Sequence, residues 1–230
     1  MREMLADSVF FGAVVTVFAY ELGTILSRRF RFALFNPMLL SISGIIALLL
    51  IFRIDYEVYF QGAKYISYLL TPTTVCLAIP LYEQMTLLRR NFRAICAGIL
   101  SGVLLSMLTI LALAFLFGLD HEIYVTLLPK SITMAIGMGV SEELGGIVTI
   151  TIAVIAVTGV FGNMIAEPVC RIFRIREPVA RGIAIGTASH AIGTARAMEM
   201  GEIEGAMSSL SIVVAGIVTV VAASVFAQFL

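Results

Sequence analysis

Residues 94–117 read AICAGILSGVLLSMLTILALAFLF, a run without one charged side chain. As an α-helix this run would be about 36 Å long, which exceeds the roughly 30 Å hydrocarbon thickness of a bilayer. A segment so long and so apolar is typical of a transmembrane helix and not of a helix in a soluble core. The run therefore predicts a membrane protein.

The composition of the whole chain agrees with this prediction. Its 230 residues are 60% apolar and 13% charged, and the mean hydropathy is +1.04. A soluble domain is about 45–50% apolar and 25% charged. Fifteen basic residues balance fifteen acidic ones, so no net charge attracts nucleic acid. We expect an all-α integral membrane protein, a multi-span bundle in a single membrane domain over residues 1–230.

Outward from 94–117, plain apolar spans alternate with spans that polar residues interrupt. The plain spans are 8–26, 37–52, 94–117, 146–165 and 206–229. The interrupted spans are 62–82, 124–143 and 179–198. Lipid cannot form hydrogen bonds with the backbone N–H and C=O groups that a break in a helix leaves free. Breaks therefore occur where protein or water surrounds them. We predict that the three interrupted spans are broken or re-entrant helices that converge on a cavity near the middle of the membrane.

The charged loops predict an orientation. Basic clusters are expected on the cytoplasmic side; they are 28–31, 89–93 and 171–176. The acidic segments 55–57 and 120–122 then lie outside, together with the N-terminus. For 171–176 to lie inside after the span 146–165, the segment 124–143 must enter and leave from the outer face. This favours a re-entrant segment there.

A shared spacing links the two halves of the chain. Thr71-x-Thr73 and Thr187-x-Ser189 lie in interrupted spans, and the same offset separates Glu83 from Glu199. Transporters built from two inverted repeats show such paired interrupted segments. We predict a two-fold inverted repeat over residues 1–118 and 119–230. Coincidence between helices rich in Ala, Thr and Ser is the alternative.

Ionisable residues within apolar segments mark functional sites, because a charge in the bilayer is costly. Lys130 lies between Pro129 and Ser131, while His190 and Arg196 share one interrupted span. Each has a structural alternative: Lys130 reaches the interface, His190 is a neutral packing residue, and Arg196 pairs with Glu199 at i+3.

The chemistry that fits these residues is recognition of a small organic anion. Half-helix N-termini and hydroxyl groups donate to a carboxylate, Lys130 or Arg196 supplies the counter-charge, and His190 carries a proton in coupled uptake. The predicted substrate-binding residues are Thr73, Thr74, Lys130, Ser131, Thr133, Ser189, His190, Thr194 and Arg196.

Other chemistry has little support in the sequence. Cys76, Cys96 and Cys170 are far apart and predict neither a disulfide framework nor a zinc site. The phosphate-binding, dinucleotide-binding and serine-hydrolase motifs are absent from the sequence. We expect no enzyme activity, no metal and no cofactor.

Several motifs resemble those of the LrgB/CidB family. They are Leu128-Pro129-Lys130-Ser131-Ile132-Thr133, Ser141-Glu142-x-x-Gly145-Gly146, residues 181–197 (RGIAIGTASHAIGTARA), Glu204-Gly205-Ala206 and Asn36-Pro37. The resemblance covers nearly the whole chain and is most specific in the second half.

This resemblance implies two functions. Bacterial members are described as antiholin-like or murein-hydrolase-export proteins, beside a smaller LrgA/CidA-like membrane partner. Plastid relatives carry glycolate and glycerate, and some bacterial members are linked to pyruvate uptake. The resemblance therefore implies a carrier of small monocarboxylates that works by alternating access, or alternatively a holin-like protein that modulates murein hydrolase export and lysis. It also implies a multi-pass protein of the bacterial inner membrane that forms a homo-oligomer, namely a dimer.

Overall fold

The computed structural model describes residues 10–30, 35–76 and 78–230. Its described residues form helices and short connections, without a strand. For five residues it describes the backbone alone: Leu70, Thr71, Thr74, Pro80 and Leu81. The chain divides into two compact units, Met1–Cys76 and Leu77–Leu230. The all-α prediction is confirmed.

The first unit contains four helices. They are α1 (Phe11–Phe30), α2 (Pro37–Phe52), α3 (Tyr56–Ser67) and α4 (Leu70–Cys76). Helix α1 packs against α2 and α3, and the Thr16 hydroxyl lies 2.7 Å from the hydroxyl of Tyr59. Asn36 begins α2, since its Oδ1 accepts from the amide of Met38 at 2.9 Å.

The second unit holds the remaining elements. They are α5 (Ala78–Glu83), α6 (Met85–Phe117), α7 (His121–Leu127), α8 (Met134–Glu143), α9 (Val148–Ile172), α10 (Pro178–Met200), α11 (Glu202–Phe226) and a 3₁₀ turn (Ala227–Phe229). In the described chain, four helical stretches are long and apolar enough to cross a membrane. They are Phe11–Phe30, Met85–Phe117, Val148–Ile172 and Glu202–Phe229.

One face of α6 forms the core of the second unit. Its buried residues recur every three or four positions: Ile95, Ile99, Val103, Met107, Ile110 and Ala114. They belong to one buried cluster with Met207 and several alanines of α11 and with Tyr124 of α7. The spacing of three and four is that of a single helix face, so α6 and α11 meet along an apolar seam.

Helix α10 folds back on itself at His190. The backbone of this residue is non-helical, with φ 41° and ψ −141°. Before it, Gly182 lies against Glu204 and Gly186 against Ser208, so the first arm runs parallel to α11. After it, Thr194 bonds to Ser208 and Met198 lies against Gly205, so the second arm runs antiparallel. The chain over 178–200 is therefore a helical hairpin, called here the α10 hairpin.

Helices α7 and α8 form a second hairpin with its turn at 128–133. Thr126 and Ser141 come together at Thr151 of α9, whose Oγ1 lies 3.0 Å from the Thr126 carbonyl oxygen and 2.7 Å from Ser141 Oγ. Nearer the turn, a Cβ on Gly137 would lie 3.5 Å from the Pro129 carbonyl oxygen. The two helices are thus antiparallel, and the turn between them carries Lys130. We call this pair the α7–α8 hairpin.

The two hairpins enter from opposite ends of α11. At its start, Glu204 pairs with Arg181 at the base of the α10 hairpin, with 3.6 Å between the nearest atoms. At its end, the carbonyl oxygen of Phe226 accepts from the Tyr124 hydroxyl of α7 at 2.9 Å. A helix of this length separates these two contacts by roughly 33 Å. The predicted breaks in 124–143 and 179–198 are therefore present, each as a hairpin.

Helix α9 contacts both hairpins. The side chain of Ile155 lies against Gly137 of the α7–α8 hairpin, and its carbonyl oxygen accepts from His190 Nε2 at 3.2 Å. The third predicted break, in 62–82, falls among α3, α4 and α5. Leu77, between α4 and α5, lies outside the described residues, and the inverted repeat of 1–118 and 119–230 stays a prediction.

Candidate anion-binding site

A cavity of about 1010 Å³ runs along α6 in the second unit. Its wall on α6 is a face adjacent to the core face, and it carries small and hydroxyl-bearing residues: Ala94, Gly98, Ser101, Gly102, Ser106 and Thr109. The first arm of the α10 hairpin forms the opposite wall, and the turn of the α7–α8 hairpin contributes Lys130 and Ser131. The cavity thus brings three segments of the unit together.

Glycines of α6 bring the α10 hairpin close to the cavity. A Cβ on Gly98 would lie 3.4 Å from Ile183 Cγ2, and one on Gly102 would lie 2.9 Å from Thr187 Cγ2. The G-x-x-x-G spacing permits this approach of two helices, since no side chain separates them. As a result, Thr187 lies against the turn of α6 that contains Gly102.

Lys130 provides a positive charge in this cavity without a carboxylate beside it. Its Nζ donates to Ser131 Oγ at 3.1 Å, and Ser131 Oγ lies 3.5 Å from Ser106 Oγ of α6. No ion pair to Lys130 occurs in the part of the chain that the structure describes. A lysine in an apolar setting favours an anion beside it, because an unpaired charge there is costly.

Thr187 also lines this cavity, and its hydroxyl is buried and unpaired. The residue is 6% exposed, and its Oγ1 has no hydrogen-bond partner. Across the described ranges, no other buried side-chain nitrogen or oxygen lacks a partner. A buried hydroxyl without a partner costs about 1–3 kcal/mol. Thr187 contacts Gly102 and Ser131 approaches Ser106, and these α6 residues are one turn apart. Thr187 and Ser131 therefore lie against neighbouring turns of the α6 wall.

The other charged residues of the cavity lie at the beginning of α6 and of α10. Arg90 and Asn91 line it on α6, and Glu177 lines it where α10 begins. This is the end of the unit that bears the basic clusters 89–93 and 171–176. The cavity therefore extends from the end with the basic clusters towards Lys130.

The tip of the α10 hairpin is a buried polar cluster that serves the break itself. Thr194 Oγ1 donates to the His190 carbonyl oxygen at 2.9 Å, and Asn163 Nδ2 donates to the Ile192 carbonyl oxygen at 2.7 Å. Gly159 leaves room for the imidazole, since a Cβ there would lie 2.8 Å from its Nε2. Thr194 and Asn163 thus donate hydrogen bonds to backbone carbonyl oxygens at the break. A helix broken inside a membrane requires such donors.

Arg196 lies at the base of the α10 hairpin and is paired. Its guanidinium forms ion pairs with Glu167 of α9 and with Glu199 one turn later. The pairing with Glu199 is the structural alternative that the i+3 spacing offered. Arg196 is not among the residues that line the cavity with Lys130.

The family of the chain follows from a comparison with known proteins. A family model described as the LrgB-like family matches residues 16–229. The chain belongs to the LrgB-like family. Within it, the chain is 38% identical to the holin-like protein CidB of Staphylococcus aureus (strain N315) over 206 residues, 90% of each chain. It is 36% identical to the antiholin-like protein LrgB of Bacillus cereus (strain B4264) over 222 residues, 96% of each chain. No solved structure matches the chain.

Of the residues predicted to bind substrate, the structure brings Lys130 and Ser131 of this LrgB-like chain into the cavity. Ser189, His190 and Thr194 are buried at the hairpin tip. Thr133 begins α8 without a side-chain cap, and Thr73 is exposed and donates to the Leu69 carbonyl oxygen at 2.6 Å. For Thr74 the structure describes the backbone alone. In the described ranges, no group of His, Cys, Asp and Glu side chains suits a metal ion.

Sequence reasoning missed the contribution of α6 to this LrgB-like site. Residues 94–117 contain no charge, so the sequence predicts only a plain span there. The available signal was weaker: hydroxyls and glycines at 98, 101, 102, 106 and 109 occupy one helix face. The spacing of Thr187 supports the predicted repeat, but the predicted binding residues do not include it.

Proposed function

We propose two functions for this chain, one supported by the comparisons and one by the cavity. The names of the relatives, holin-like and antiholin-like, favour a role in modulating murein hydrolase export and lysis, beside an LrgA/CidA-like partner in the bacterial inner membrane. The comparisons support this role better than they support transport, since neither name refers to a transported substrate. The role needs no particular ligand in each protomer.

The geometry best supports the carriage of a small organic anion, a monocarboxylate of the pyruvate or glycolate type. The single observation that carries this proposal is Lys130, which has no ion pair among the described residues, in one cavity with Thr187, whose buried hydroxyl has no partner. A carboxylate there pairs with Lys130 Nζ and accepts a hydrogen bond from Ser131, in the cavity that Thr187 also lines. Discontinuous helices near the midplane form substrate sites of this kind in secondary transporters.

The two hairpins suit alternating access. The cavity extends towards Lys130 from the end that carries the basic clusters, and the α7–α8 hairpin contributes its turn to the wall there. Movement of a hairpin past Ile155 of α9 would close this end and open the other. His190, at the tip of the α10 hairpin, remains our candidate for carrying the coupled proton.

Proteoliposomes that contain the purified chain separate the two functions. We expect uptake of labelled pyruvate or glycolate that saturates and that unlabelled substrate inhibits. Lys130→Gln should reduce uptake at least roughly ten-fold, because a hydrogen bond to a charged group contributes about 1.5–3 kcal/mol. Lys64→Gln is the matched control, since Lys64 is the other lysine of the chain and lies in α3 of the first unit.

Release of an entrapped dye, measured on the same vesicles, tests the holin-like function. Leakage that is unselective and equal in the wild type and in Lys130→Gln supports a pore and contradicts a carrier. Saturable uptake that Lys130→Gln abolishes, without leakage, supports the carrier.

A further inference from the structure

A second cavity lies at the base of the α10 hairpin, separate from the cavity with Lys130. Its volume is about 430 Å³, within the range of roughly 300–1,000 Å³ that holds small ligands. The end of α9, the connection to α10 and both arms of the hairpin form its wall. Neither the family nor the proposed functions assign a role to it.

The lining of this second cavity is strongly basic. Its charged residues are five arginines and two glutamates: Arg171, Arg174, Arg176, Arg181, Arg196, Glu167 and Glu199. Five guanidinium groups in so small a space repel one another, and the two carboxylates offset only part of their charge. The cavity therefore has an excess of positive charge that a bound anion would neutralise.

The ion pairs in this region leave two of the arginines unused. Arg171 pairs with Glu167, and Arg196 pairs with Glu167 and Glu199. Arg181 pairs with Glu204 of α11, and its Nε donates to the Ile175 carbonyl oxygen at 2.8 Å. Among the described residues, no carboxylate lies within ion-pair distance of Arg174 or Arg176. The paired arginines stabilise the wall, and the remaining two are available to a ligand.

The surroundings of the cavity indicate its position at a membrane surface. Ile172 and Phe173, at the end of α9, are 73% and 72% exposed beside Arg171 and Arg174. Apolar side chains next to a basic pocket at the end of a spanning helix match an anionic headgroup and its acyl chains. Planar guanidinium groups also bind phosphate oxygens two at a time, which a single lysine cannot do.

We propose that this cavity binds a phosphate-bearing anion, with Arg174 and Arg176 as its principal ligands. The headgroup of an anionic phospholipid and free inorganic phosphate share this chemistry, and the binding experiment distinguishes between them. The bound anion would hold the two arms of the α10 hairpin to the end of α9, because the cavity is lined by all three.

The test compares Arg174→Gln/Arg176→Gln with the wild type and with a matched control. Arg89→Gln/Arg93→Gln removes the same charge from exposed arginines of α6 that line neither cavity. Native mass spectrometry of the full chain in detergent measures the affinity for phosphatidylglycerol. We expect a loss of about 25-fold in the pocket variant, since each surface arginine contributes about five-fold, and less than two-fold in the control.

Inorganic phosphate identifies the source of the ligand. In nanodiscs of phosphatidylcholine, phosphate binding that is lost in the pocket variant alone indicates a free phosphate site. Phosphatidylglycerol binding that millimolar phosphate does not displace indicates a lipid headgroup. Equal losses in both variants, or no binding of either probe to the wild type, overturn the proposal. Because Arg174 and Arg176 form no ion pair in the described chain, the melting temperature without phosphate or anionic lipid should not fall in the pocket variant, and a fall there also contradicts the proposal. Added ligand should raise the melting temperature of the wild type more than that of the pocket variant.

Discussion

Two threonines of the α10 hairpin, on either side of His190, have opposite surroundings. Thr187 lines the cavity and has a buried, unpaired hydroxyl, whereas Thr194 Oγ1 donates to the His190 carbonyl oxygen and lies 2.7 Å from Ser208 Oγ. Residues of the same type and similar burial thus differ in their hydrogen bonds: the hydroxyl of Thr187 has no partner and that of Thr194 has two. Their contrast gives a test that does not depend on the identity of the substrate.

Replacing each threonine by valine, which has nearly the same shape, should move stability in opposite directions. Thr187→Val removes an unsatisfied buried hydroxyl and should raise the free energy of unfolding by about 1 kcal/mol. Thr194→Val leaves the His190 carbonyl oxygen without this donor and should lower it by about 1–3 kcal/mol. Thermal unfolding in detergent measures both. A Thr187→Val protein that is as destabilised as Thr194→Val would show that Thr187 has a structural partner.

At the residue scale, the sequence predicts part of the site. Lys130 stands out because a charge beside a proline in an apolar segment is rare, and the structure does put it in the cavity. His190 and Arg196 stand out equally, yet the one lies in a buried cluster and the other in ion pairs. The sequence shows which charged residues fall in apolar segments. It does not show the partner that offsets each charge, because the partner depends on how the helices pack.

At the scale of the element, glycines determine how closely the α10 hairpin packs. A Cβ on Gly186 would overlap the Ser208 backbone of α11, so this glycine is required for the parallel contact. Gly139 of α8 has open space around its missing Cβ. Both glycines lie within helices, but Gly186 packs against α11 and Gly139 has no neighbour at its Cβ position.

Alanine substitution at these two glycines should therefore have opposite effects. Gly186→Ala should lower the free energy of unfolding by about 1–3 kcal/mol through overpacking. Gly139→Ala should raise it by about 0.5–1 kcal/mol, since alanine favours a helix more than glycine does. Both are measured by thermal unfolding of the purified chain. If Gly186→Ala were as stable as Gly139→Ala, the first arm of the hairpin would not pack on α11 as described.

The sequence predicts where the helices of the two hairpins break better than it predicts that the chain reverses there. Pro129, Lys130 and Ser131 mark the turn of the α7–α8 hairpin, and the positive-inside pattern already favoured a re-entrant segment there. The reversal at His190 has no such signal, because neither proline nor glycine occupies the position. A positive φ at a non-glycine residue is costly, and here the polar contacts around the tip hold it. Those contacts come from α9 and α11, which no local pattern contains.

At the scale of the whole molecule, the two hairpins fix which loops share a membrane face. The first arm of the α10 hairpin and the start of α11 are neighbours, so Glu177 and Glu202 should lie on one face. Glu122 and Glu143, at the base of the α7–α8 hairpin, should lie together on the other. A spanning α10 would instead separate Glu177 from Glu202.

Cysteine labelling with a membrane-impermeant reagent tests this arrangement. In a variant whose native cysteines are replaced by alanine, single cysteines are introduced at the four glutamates. We expect positions 177 and 202 to react from one side only, and positions 122 and 143 from the other side only, because each pair flanks a hairpin that returns. Reaction of 177 and 202 from opposite sides would require α10 to cross the membrane.

The short arms of the α10 hairpin have a consequence for how the protein is made. Each arm has about 10–12 residues, roughly half of what is needed to enter a bilayer as an independent span. Helices α9 and α11 are long enough to be inserted as they leave the ribosome, whereas the hairpin between them is not. The hairpin must therefore wait at the membrane surface until both neighbours are in place. Its entry is a late step of biogenesis, driven by contacts with α9 and α11 and not by the insertion machinery.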